Sequence, residues 1–365
     1  MKQFQTKYDL DIPDRCDYSA EWIARPEDEI LVTGASGFIG VRVVRQLLEY
    51  GFKRVRCFVR PSRLVNSLNA LAGQFPSCAI EFVAGDLVAP DDCFPAIKEA
   101  SIVYHLAAGN EKSFAGAFMN SALATRNLMD AFLEFGKPKR FVNVSSFAVY
   151  SALKLKAGDL LDETCPLEDS SQERFDAYGF GKLKQEELVR DYGHRYNLPY
   201  VIVRPGVVFG PGKRELSGRV GIDTFGFFLQ VNGSNRLPLT FVDNCAEAIV
   251  LAGLKPGIDG ETFNIVDDDL PSSSQFLKAC KKAKAFRSVR IPYSIAYAMS
   301  IGWERYSKWS KGQLPPAFNH RRCAAEWKRQ RFSNQKLKER LDWKPRVSMQ
   351  QAMDAFLGQF QSNGG

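Results

Sequence analysis

Three glycines at intervals of three restrict this chain more than any other feature. Glu29-Ile-Leu-Val-Thr33 is a short β-rich run that opens directly into Gly34-Ala-Ser-Gly37-Phe-Ile-Gly40. Val41, Val44, Leu47 and Leu48 then recur at helical spacing, and Gly51 supplies a stop. A strand, a glycine turn and a helix in that order form a pyrophosphate cradle. The turn lets the backbone approach the phosphates, and the helix N-terminus offers free N–H groups and positive dipole. The spacing is G-x-x-G-x-x-G rather than the commoner G-x-G-x-x-G, so the strand before and helix after carry the meaning. Gly34, Ser36, Gly37, Phe38, Ile39 and Gly40 are the candidate cofactor-binding residues of this turn.

Short apolar runs recur downstream at Val55–Val59, Ala79–Ala84, Ile102–Ala107, Phe141–Val144 and Tyr200–Val203. Helical patterns such as Ser121–Phe135 and Lys182–Tyr196 separate them. The alternation predicts a doubly wound α/β (Rossmann) fold with a parallel sheet buried on both faces. After Arg204-Pro-Gly206 it weakens, which predicts a smaller, mainly C-terminal substrate domain. The expected division is an extension at 1–28, a dinucleotide-binding domain at 29–206 plus 238–267, and a substrate domain at 207–237 plus 268–365.

An acid at the end of the second strand would grip a ribose 2′-hydroxyl, the mark of NAD. Here Arg60 stands there, with Arg63 three residues on, and a guanidinium suits a 2′-phosphate. The expected cofactor is therefore NADP, with NAD as the alternative. Tyr178-Gly-Phe-Gly-Lys182 puts a phenol and an ammonium on one helical face. A nearby cation stabilises a phenolate, which makes tyrosine a usable acid/base. Ser146 closes the run Phe141-Val-Asn-Val-Ser-Ser146, at the strand end where ligands bind in such sheets. Its hydroxyl can polarise an oxygen that gains charge, or it can simply cap the following segment.

With these landmarks in chain order, the sequence resembles the extended, epimerase/dehydratase-like branch of the short-chain dehydrogenase/reductase superfamily. Gly85-Asp-Leu87, His105-Leu-Ala-Ala108, Val242-Asp-Asn244 and Leu341-Asp-Trp-Lys-Pro345 continue the likeness. The resemblance implies Tyr178 as acid/base, Lys182 as its electrostatic and ribose-binding partner, and Ser146 as polariser. It implies Asp86 and Leu87 near the adenine, and Ala107, Ala108, Pro205 and Val207 along the cofactor. Gly181 departs from the family, which usually has serine there. Together, Gly179 and Gly181 predict close approach of another backbone or a ligand.

Phe147-Ala148 follows the active-site hydroxyl where 4,6-dehydratases resemble one another in an Asp-Glu pair, so dehydration is set aside. Nucleotide-sugar epimerases usually carry an arginine where Leu237 stands, although Arg236 is adjacent. The remaining features look nearer to the hydroxysteroid dehydrogenase-like subgroup. The leading expectation is hydride transfer between nicotinamide C4 and a secondary alcohol or ketone. Epimerisation by the same residues is the alternative, and a non-catalytic cofactor-binding protein is the alternative of another class.

Charge separates two regions. The whole chain is +8, but residues 278–346 alone hold 19 Lys/Arg against four acids. That concentration suggests a small-molecule substrate with an anionic group, or an anionic surface. No nucleic-acid motif accompanies it. Tyr293, Tyr297, Trp303, Tyr306 and Trp309 fall within Ile291–Trp309, which as a helix would form an aromatic wall or lid, plain core, or a peripheral membrane contact. No run reaches the roughly 18 apolar residues of a spanning helix, and charges begin at Lys2, so a cytoplasmic protein is expected. Eight scattered cysteines and three unrelated histidines fit reduced thiols and no metal. The resemblance also implies a homodimer.

Overall fold

The computed structural model describes residues 19–61, 65–109, 111–213, 215–224, 226–311 and 313–361. Arg63, one of the two candidate arginines, lies outside the described residues. Seven parallel strands make the central sheet: β1 Glu29–Thr33, β2 Arg54–Val59, β3 Ala79–Ala84, β4 Ala100–His105, β5 Arg140–Val144, β6 Tyr200–Pro205 and β7 Thr262–Ile265. Their order is β7-β6-β5-β4-β1-β2-β3. The chain winds outward from β1 through β3, then crosses back to set β4 on the other side of β1. That reversal opens a crevice at the carboxyl ends of β1 and β4, where open α/β sheets bind ligands.

The continuous apolar runs become strands because helices cover both faces; β1 and β4 are buried along their whole lengths. The first helix, Gly40–Glu49, buries Val43, Val44, Leu47 and Leu48 and ends before Gly51, whose φ of +87° suits glycine. The pattern at 121–135 divides into a π-helical turn, Phe118–Leu123, and an α-helix, Ala124–Phe135. The helix predicted from Lys182 starts earlier and runs Ala177–Tyr196. Asp176 caps it, accepting from the Gly179 amide at 2.8 Å.

Beyond the sheet, strands Gly221–Thr224, Phe227–Val231 and Ser288–Ile291 form a small second sheet. Phe209, Phe241, Phe276 and Phe356 build an aromatic core between the helices Ser273–Ala283 and Met349–Gln361. The end of the predicted N-terminal extension is not outside the fold. Trp22 stacks on Phe52 and packs against Tyr50, sealing one end of the main core. Leu337, Leu341 and Trp343 also enter that core, although the sequence division puts them on the substrate side.

Much of the C-terminal charge is answered internally. Arg321 pairs with Glu168 at 3.1 Å and with Glu173 at 2.9 Å, and Arg340 pairs with Glu261 at 2.6 Å. Lys338 meets Asp268 at 2.7 Å, and Arg346 meets Glu247 at 2.6 Å. These bonds tie residues 321–346 to acids of the remainder. No helix among the described residues is long and apolar enough to cross a membrane.

Candidate active site

The glycine turn is shaped by close approach. Gly34 sits at φ +68°, and a Cβ there would come within 3.0 Å of the Ala107 amide nitrogen. A Cβ on Gly40 would collide with the Gly34 carbonyl oxygen. No side chain caps the helix that begins at Gly40, which leaves its N-terminus for a ligand. The cradle therefore fits a dinucleotide pyrophosphate.

Two cavities meet at this turn. The smaller, about 400 Å³, runs along the ends of β2 and β4 and is lined by Ser36, Arg60, Asp86, Leu87, Ala107 and Ala108. The larger, about 760 Å³, runs from Gly34, Gly37, Phe38, Ile39 and Gly40 to the second half of the molecule. Ser146, Tyr178 and Lys182 line it together, with Pro205 and Val207. Every candidate site residue within the described part thus faces one of the two cavities.

The capping role of Ser146 is visible in the structure. Its side chain caps the short 3₁₀ turn Phe147–Val149, accepting from the Ala148 amide at 3.2 Å, and it hydrogen-bonds the Tyr178 phenol. Burial pushes the Tyr178 hydroxyl above its ordinary range, and the Ser146 bond offsets part of that. Burial also lowers Lys182 to about 7, against the opposing charge of Glu186. The ammonium donates to the Val144 carbonyl at 2.5 Å, at the end of β5.

A buried layer behind these residues holds them. Glu186 accepts from Ser145 Oγ at 2.6 Å and from Arg204 Nε and Nη2 at 2.8 and 2.6 Å. Arg204 also donates to the Tyr150 hydroxyl at 2.9 Å, which in turn donates to Asn264 at 2.7 Å. His105, lowered to about 3 by burial, is neutral and bridges Thr33 and Thr125. The two unusual glycines have separate partners. Gly181 faces Ser121 of the π-helical turn and the Ala117 carbonyl just before it, at 3.0 and 3.2 Å from where a Cβ would stand. Gly179 lies against Arg174, Asp176 and the Ala148 carbonyl.

Several features fall elsewhere than the sequence suggests. No lysine or arginine of 278–346 lines either cavity among the described residues. The basic side chain at the mouth is instead Lys213, lowered by burial and donating to the Val208 carbonyl at 3.2 Å. The Tyr293–Trp309 helix is no lid, because none of its residues lines the cavities. Arg236 turns to the Leu270 carbonyl at 2.6 Å, away from the cavity, and Leu237 is fully buried in the aromatic core. Phe209, Leu216, Leu239, Phe276 and Phe356 form an apolar wall of the larger cavity, which no sequence pattern marked.

The model of the NAD dependent epimerase/dehydratase family matches residues 30–265. The chain is 26% identical over 349 residues to the decarboxylating sterol-4-alpha-carboxylate 3-dehydrogenase of Mus musculus, covering 90% of each. It is 23% identical over 365 residues to 3beta-hydroxysteroid-dehydrogenase/decarboxylase isoform 1 of Arabidopsis thaliana, covering 93% of this chain and 81% of that one. Among solved structures, UDP-glucuronic acid 4-epimerase from Bacillus cereus in complex with NAD superposes with a TM-score of 0.66 at 21% identity, over 92% of this chain and 99% of that one. That last likeness concerns the fold.

Proposed function

Because the chain belongs to the NAD-dependent epimerase/dehydratase family, in the extended short-chain dehydrogenase/reductase superfamily, we propose that it is a dehydrogenase or reductase acting between nicotinamide C4 and a secondary alcohol or ketone. The meeting of Ser146, Tyr178 and Lys182 on the wall shared with the glycine turn carries this reading. A bound nicotinamide would give or take the hydride. Tyr178 exchanges the proton of the substrate oxygen, and Ser146 donates to that same oxygen as its charge develops. Lys182, within the same wall, supplies positive charge to the phenol and a donor for ribose hydroxyls. Epimerisation is the weaker reading, since neither Leu237 nor Arg236 offers a cation to a sugar-nucleotide pyrophosphate.

The aromatic wall suits an extended apolar body, as in a hydroxysteroid, and Lys213 at the mouth suits an anionic group on it. The names of the two sterol-directed relatives support that class. The test is turnover with NADP or NAD on a panel of 3-hydroxysteroids, with and without a carboxylate, beside UDP-sugars. Accumulating reduced cofactor with the steroids is the expected result. An isomerised UDP-sugar without such accumulation, or cofactor binding with no turnover at all, overturns it.

For the cofactor we favour NADP. Arg60 directly follows β2, lines the adenine-side cavity and forms no ion pair with a described residue, so its guanidinium is placed to meet a 2′-phosphate. Titration calorimetry should show NADP binding tighter than NAD. Arg60→Ala should weaken NADP by about tenfold and leave NAD nearly unchanged. Tighter NAD in the unaltered protein sinks this choice.

A further inference from the structure

The Tyr293–Trp309 helix is patterned the wrong way round for a helix of a water-soluble surface. Its buried side carries Ala296, Ser300 and Ser307, with Ser300 fully covered. Its outer side carries Ile295, Met299, Trp303, Tyr306 and Trp309, in steps of four, four, three and three residues. At 100° per residue those steps keep all five within roughly 120° of arc. Met299 is 53% exposed and Trp309 78%. Leu314, also exposed, is tied beside them by Ser307 Oγ, which donates to its carbonyl at 2.6 Å.

A second apolar surface precedes this helix in the chain. In the small sheet, Val289 pairs with Leu229 and Leu229 with Ile222, so the three form one cross-strand row. Val289 and Ile222 are exposed, as is Phe227, two residues from Leu229 on the same side. The strand bearing Ile222 follows Ser217 and Gly218, which line the large cavity.

Charge identifies the occupant. Residues 278–311 hold nine Lys/Arg and one acid, Glu304. Glu304 is taken by Lys308 at 3.0 Å, and the other eight basic side chains form no ion pair with a described residue. Residues 321–346, by contrast, are anchored to acids of the remainder. A second copy on this face would bring like charges together around the seam. We infer that residues 278–311 dock on the surface of an anionic lipid bilayer, with the helix lying in the interfacial plane. Tryptophan and tyrosine suit the headgroup boundary, and lysine and arginine suit anionic lipid.

Flotation of the full-length protein with phosphatidylcholine vesicles, with and without phosphatidylserine, tests this. Binding should require phosphatidylserine and fall as salt rises. The double variant Met299→Glu/Trp309→Glu should bind at least about tenfold less. Lys281→Glu/Lys311→Glu, confined to exposed charges, should lose the phosphatidylserine dependence while keeping the unaltered thermal melt. Failure of the wild-type chain to float, or flotation of both double variants equal to that of the wild-type chain, overturns the inference. So does a dimer in sedimentation that Met299→Glu/Trp309→Glu dissolves in the absence of any vesicle binding.

Discussion

Tyr178→Phe should lower turnover by about 10²- to 10⁴-fold, the range expected when a positioned acid/base is removed. The change deletes one hydroxyl, whose hydrogen-bond partner is the Ser146 side chain. That bond lies in the cavity wall, so fold and cofactor affinity should survive, and calorimetry should find nicotinamide binding nearly unchanged. Near wild-type turnover would falsify the assignment of Tyr178. The pH dependence adds a signature that a structural role cannot give. Lys182 is held at about 7 and the Tyr178 phenol above its ordinary range, so the pair loses its first proton near pH 7. A phenolate beside an ammonium and a phenol beside a free amine hold the same number of protons. Above that pH the pair can accept the proton of a substrate alcohol, and below it the pair can give one to a ketone. Alcohol oxidation should therefore rise with pH through about 7 and ketone reduction should fall. Lys182→Met should remove that inflection from both profiles.

The fold was legible where sequence periodicity and burial coincide. β1, β2, β4, β5 and β6 are covered on both faces, so they read as mainly apolar runs, interrupted inside by Arg56 of β2 and Asn143 of β5. β7 has only Phe263 and Ile265 as apolar residues in four positions, too few to declare a strand without its neighbour β6. The cofactor half of the site was legible for a related reason: glycines, a strand end and a helix start are local features. The apolar wall of the larger cavity was not. Phe209, Phe276 and Phe356 lie far apart in sequence and meet only through tertiary packing, and a phenylalanine in a core has no pattern that marks it as lining a cavity. Charge misled for the opposite reason. A net excess of lysine and arginine says nothing about where the compensating acids will be, and Glu168, Glu173, Glu247 and Glu261 take up much of the 321–346 excess. Gly181 was half-read: the missing side chain signalled close approach, and only the fold could name Ser121 and Ala117 as the neighbours.

Glu186→Ala should be the most destabilising single change near the site, by about 3–5 kcal/mol, because it leaves a buried guanidinium without its counter-ion. Glu186 and Arg204 are each 2% exposed or less, and two hydrogen bonds of 2.8 and 2.6 Å join them. After the change Arg204 keeps only the Tyr150 hydroxyl at 2.9 Å and the face of that ring. Ser145 loses its acceptor as well, at the strand end that carries Ser146. Replacing both charges together, as Glu186→Leu/Arg204→Met, should cost much less than the single change, since no charge is then left unpaired. Equal losses in the two proteins would mean that packing, and not charge burial, sets the cost. Titration supplies an independent check. Burial alone would raise the Glu186 carboxyl, but the bonds and charge of Arg204 outweigh it and hold the group below the ordinary carboxylate range. A carboxyl lowered in the folded state stabilises above its unfolded pKa, and that stability is lost as pH falls through the folded value. Wild-type protein should therefore lose stability on acidification along a limb that Glu186→Gln lacks. Glu186 also opposes the depression of Lys182, so in Glu186→Gln the catalytic inflection should move below about 7 and alcohol oxidation should extend to lower pH. One residue that lines neither cavity would then shift both the thermal melt and the pH profile, each in the direction its geometry dictates.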